Sequence, residues 1–233
     1  YKLVNNAADQ LRPRAEVLKV DTKREAADDR IAKMRQRIDD LIEAGVNQYL
    51  PGRTQPLEDI FANAQEVREE NTEEAFDEIR DMFEDFNDQE QRVVTAFRTL
   101  NEEAIDEAKQ ALSRTTTVFS TAEDIFEQNN ENVPVDMQPF VERKQMLRST
   151  LSTEIDQTRD RIQDAEDRME QSQFRTSIEL AREQERNSED ILNRIYEVVS
   201  GNAVIELSNL ISQYEREGAR VYASDELDRS RED

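Results

Sequence analysis

The chain has 233 residues, 36% charged and 36% hydrophobic, with a formal charge of −23 and neither histidine nor cysteine. Those two absences exclude histidine acid–base and triad chemistry, thiol chemistry, disulfides and nearly all transition-metal sites. Leu, Ile, Val and Phe together number 53, too few for a thick globular core but enough for narrow helical seams.

Four glycines and five prolines are all that interrupt the chain, so turns are rare and long helices are expected. The first is predicted over about 13–50, with Pro13 in its opening turn. Apolar or small residues recur there at Ala27, Ile31, Met34, Ile38, Leu41 and Gly45, and Ile42, Val46 and Tyr49 widen the stripe. The segment Pro51-Gly52-Arg53-Thr54-Gln55-Pro56 is the clearest turn, with Thr54 placed to cap the next helix.

The second helix is predicted over about 57–128. Its seam runs Phe76, Ile79, Phe83, Phe86, Val93, Phe97, Leu100, Ala104, Ala108 and Ala111, steps of four and three that give a coiled-coil-like contact. Polar stretches at Glu69–Glu74 and Ser113–Thr117 are its weak points. Asn129–Pro134 marks the next corner. A third helix, about 137–200, carries Leu147, Leu151, Thr158, Ile162, Ala165, Met169, Phe174, Ile178, Ala181, Ser188, Leu192, Ile195 and Val199, with a stutter near Gln171–Phe174. Gly201-Asn202 is expected to break it, and a short fourth helix over 203–220 sets Val204, Leu207, Leu210, Ile211 and Tyr214 on one face. Residues 223–233 read as a polar tail.

These elements make an all-α fold: an elongated antiparallel helical bundle, or coiled-coil-like rod, of three long helices and a short C-terminal one. It forms a single domain over 1–222. The layout is similar to that of the membrane-curving BAR dimers, without a shared motif. That resemblance implies membrane bending, which needs a basic concave face that a charge of −23 does not suggest.

No Walker loop, dinucleotide fingerprint or G-x-S-x-G elbow is present. Asp85–Glu90 starts like a calcium loop, but Glu90 stands where glycine is needed and Ala96 where a bidentate Glu belongs. No catalytic, cofactor or metal residues are assigned, and the chain is not expected to be an enzyme. Basic residues are diluted by carboxylates, which argues against nucleic acid and anionic membranes. No stretch approaches 18 apolar residues, so no transmembrane helix is expected.

The expected role is a non-enzymatic structural or interaction protein that associates with itself or a protein partner, or serves as a spacer or adaptor. The alternative is a secreted carrier of a lipid or other hydrophobic ligand. The candidate seam for packing or interaction is Phe76, Ile79, Phe83, Phe86, Val93, Phe97, Leu100, Ile178, Leu192, Ile195 and Val199, with Tyr196 and Tyr214 as surface anchors. The chain opens on Tyr1 rather than Met, as a processed or truncated product would, which leaves a secreted or lumenal origin open.

Overall fold

The computed structural model describes residues 2–127 and 137–232, with side chains for 16–127, 137–144 and 146–218. Every regular element among the described residues is a helix: α1 (Lys2–Glu43), α2 (Val46–Tyr49), α3 (Gln55–Glu69), α4 (Glu73–Thr121), α5 (Glu123–Glu127), α6 (Gln138–Glu170) and α7 (Phe174–Glu232). The helices pack on one another, so the chain is an all-α helical bundle. The corner expected at Asn129–Pro134 lies outside the described residues.

Where a single domain over 1–222 is expected, the residues group into two compact units. Unit 1 comprises 1–103 and 168–178, and unit 2 comprises 104–167 and 179–233. Helices α4, α6 and α7 each contribute to both.

Unit 1 packs α1, α2, α3 and the first part of α4 together with the end of α6 and the start of α7. Cross-helix ion pairs fix the directions. Lys23 and Arg37 of α1 reach Glu73 and Glu90 of α4, so these two helices run parallel. Arg68 of α3 grips Asp28 of α1, and Arg35 of α1 lies 5.9 Å from the Phe61 ring of α3, so α3 runs antiparallel to α1. The interior joins Met34, Ile38, Leu41, Leu57, Phe86, Phe97 and Phe174 among others. Arginine suits this bundle because its flat guanidinium bonds and stacks at once. Arg68 bonds both carboxylate oxygens of Asp28 and also lies 5.3 Å from the centre of the Phe76 ring, linking α1, α3 and α4.

Unit 2 repeats the pattern with different chemistry. Its core is lined by small residues, Ala104, Ala108, Ala111, Ala165 and Ala181, together with Leu151, Ile155, Ile162, Ile191 and Ile195. Glu154 pairs with Arg194 and Arg161 with Glu183, which sets α6 antiparallel to α7. The pairs Lys109–Glu166 and Arg148–Glu123 set α4 and α5 antiparallel to α6. A buried polar layer crosses this core: Thr115 bonds the Ser188 carbonyl at 2.9 Å, and Thr158 and Gln184 lie buried in the same unit.

Several predicted boundaries are corrected. Helix α1 begins at Lys2 and runs through Pro13, whose fixed φ is already helical and whose missing N–H removes a single bond. It stops at Glu43, not Leu50, because Gly45 turns the chain at φ 92°. The helix expected over 57–128 is cut at 70–72. Asn71 adopts φ 54°, the Thr72 hydroxyl accepts from the Ala75 N–H at 3.1 Å, and Glu73 and Glu74 open α4. That is an Asn-terminated helix followed at once by a capped, acid-led one. A smaller interruption at Ala122 separates α4 from α5.

The helix expected over 137–200 is cut at 171–173. Ser172 turns at φ 61° while the Gln173 N–H closes back on the Arg168 carbonyl at 2.9 Å. Conversely, Gly201 breaks nothing. Helix α7 passes through it to Glu232, taking in the separate helix expected over 203–220 and residues 223–232 of the expected tail. Gly201 instead makes room: a Cβ there would overlap the Phe140 ring of α6. With these cuts, the three-long-helix layout behind the BAR resemblance is not what the chain forms. Thr54 does stand at the N-cap of α3, but its hydroxyl donates to Asn47 at 2.7 Å and caps no backbone N–H.

Two outcomes follow from these contacts. Gly201→Ala is expected to lower stability, since displacing Phe140 outweighs the ~1 kcal/mol of helix propensity gained. In a Phe140→Ala background the same change raises stability by about 0.5–1 kcal/mol, and denaturant melts of the four proteins measure both signs. Second, hydrogen bonds from Lys19 and Lys23 hold the Glu73 carboxyl down from an ordinary 4.5 to about 2. A carboxylate depressed on folding stabilises above its unfolded pKa and loses that contribution as pH falls through its folded one. Thermal melts between pH 4.5 and 2 are therefore expected to fall less steeply in Glu73→Gln than in the parent.

Candidate interaction surface

The seam predicted from sequence lies in the interior. Phe76, Ile79, Phe86, Val93, Phe97 and Ile178 are buried in unit 1. Phe83 and Leu100 are partly buried and pack on the same core. The phenylalanines fill this space with one another: Phe97 lies 5.3 Å from Phe174 and 6.1 Å from Tyr49, and Phe83 stacks on Phe86 at 6.4 Å. In unit 2 Ile195 is buried, whereas Leu192 and Val199 are half-buried flanks. The buried positions are their neighbours, Ile191 and Val198. Both steps are apolar doublets, so period alone does not choose between the two registers, and the packing of α6 and α4 does.

The apolar surface left uncovered lies further along α7. Ile191, Ile195, Val198, Asn202 and Ile205 form its buried stripe, at steps of four and three. The next positions in that phase are Asn209 and Ser212, so the stripe ends. Another begins where it stops. Val204, Leu207, Leu210, Ile211 and Tyr214 are all large, apolar and between 49% and 71% exposed. At 100° per residue this stripe is centred roughly 160° around the helix from the buried one. Tyr196, half-exposed, falls in the same phase about two turns earlier. Exposure is complete along the segment: every residue from Leu210 to Gly218 faces solvent.

The reason is the length of the neighbours. Pairing of α6 with α7 runs from Arg161–Glu183 through Glu154–Arg194 to Phe140 against Gly201. Helix α6 begins at Gln138, so α7 outruns it within a few residues of Ile205. A contiguous apolar patch of this size on a helix rimmed by Glu206, Glu215 and Glu217 is the usual mark of a binding face. The sequence places these five residues on one face but carries no sign that the face stays open.

Little else on the molecule offers chemistry. In unit 2 one groove runs between α4 and α6 past Ser113, Thr116, Thr117 and Ser120, and another between α6 and α7 past Thr158, Asn187 and Asp190. Both are surface channels; the second is lined mainly by polar groups, and the first is lined also by Leu112 and Ile162. In the first, the hydroxyls of Thr116, Thr117 and Thr121 already donate to carbonyls one turn back. Lys144 is buried on α6, and desolvation lowers its pKa. Among the described residues no group of acidic side chains is arranged to hold a metal ion. Nor is any described helix long and apolar enough to cross a membrane. No protein-family model, curated protein or solved structure matches the chain.

The two stripes of α7 are expected to respond differently to truncation. Ile205→Ala, inside the bundle, should cost about 2–4 kcal/mol. Ile211→Ala, six residues on, should stay within about 0.5 kcal/mol. Equilibrium urea unfolding of the two variants checks the contrast.

Proposed function

We propose that this is a non-enzymatic, acidic interaction protein: helical bundles that present the exposed stripe of α7 to another protein chain. The observation that carries this reading is the change of apolar face along α7, from buried through Ile205 to exposed from Val204 to Tyr214. A helix that merely ended in solvent would need no second stripe. One that pairs again, in coiled-coil fashion, needs apolar residues at steps of three and four, as Val204, Leu207, Ile211 and Tyr214 provide.

Composition supports the same reading. Lacking histidine and cysteine, the chain has few ways to build an active site, and its surplus of carboxylates keeps an exposed apolar face soluble. A structural role as spacer or adaptor follows from rigid helical units that end in a docking face.

The test is photo-crosslinking from position 207. With a benzophenone residue replacing Leu207, irradiation in an extract of the source cells is expected to give protein adducts, with far fewer from a probe at Glu185. Adducts to lipid alone would favour a hydrophobic-ligand carrier and contradict the interaction reading. Equal labelling from both positions would contradict it too.

A further inference from the structure

We draw no further inference here: the strongest candidate, the exposed apolar stripe of α7 from Val204 to Tyr214, belongs to the surface already described, and nothing in the structure shows what covers it.

Discussion

The constraint on which this structure depends is a shortage of apolar side chains. With 53 Leu, Ile, Val and Phe in 233 residues, no helix can be apolar all round, and each has only a narrow stripe to bury. A stripe is covered only as far as its neighbouring helices reach. That makes helix length, as much as side-chain identity, the determinant of what is core and what is surface. Helix α7 illustrates it: Ile205 is buried and Val204 is open, one residue apart, because they lie on different faces and only one has a neighbour.

Within each unit the narrow seams are reinforced in different ways. Unit 1 places phenylalanines in the interior and stacks arginines over their rings, with Arg37 lying 5.5 Å from the centre of Phe83 while its guanidinium also bonds Asn87 and Glu90. Unit 2 uses alanines, which let helices approach closely, and a layer of hydroxyls and amides. Such a layer adds little net stability, but the buried Thr115 hydroxyl, misaligned by one helical step, loses the Ser188 carbonyl. It therefore favours one register over its neighbours. The preference for arginine over lysine, 25 to 6, fits the first unit's need for side chains that bond and stack together.

The helical class, the direction of the seams and most core residues are legible in the sequence, because a four–three repeat leaves little choice of structure. The turns are legible only in part. Asn71-Thr72-Glu73-Glu74 carries a complete stop-and-start signal, yet its polarity also suits the solvent face of a continuous helix. Ser172 turns in a conformation that glycine would announce and serine does not. Gly201 is the reverse: a residue that usually marks an end here admits a neighbouring ring. The doublets Ile191-Leu192 and Val198-Val199 hide the register of α7 by one position. The open face was the least legible feature of all. Its residues are plain in the sequence, but whether they are covered depends on where α6 ends and how α7 continues.

Hydrogen exchange, read segment by segment on the chain alone and on the chain bound to the protein captured from position 207, addresses the central claim directly: α7 carries one stripe for its own bundle and another for a second chain. The account predicts that residues 188–203 are protected in both states. It also predicts that residues 206–214 exchange freely in the chain alone and gain protection in the complex. Equal exchange of 206–214 in the two states would contradict it.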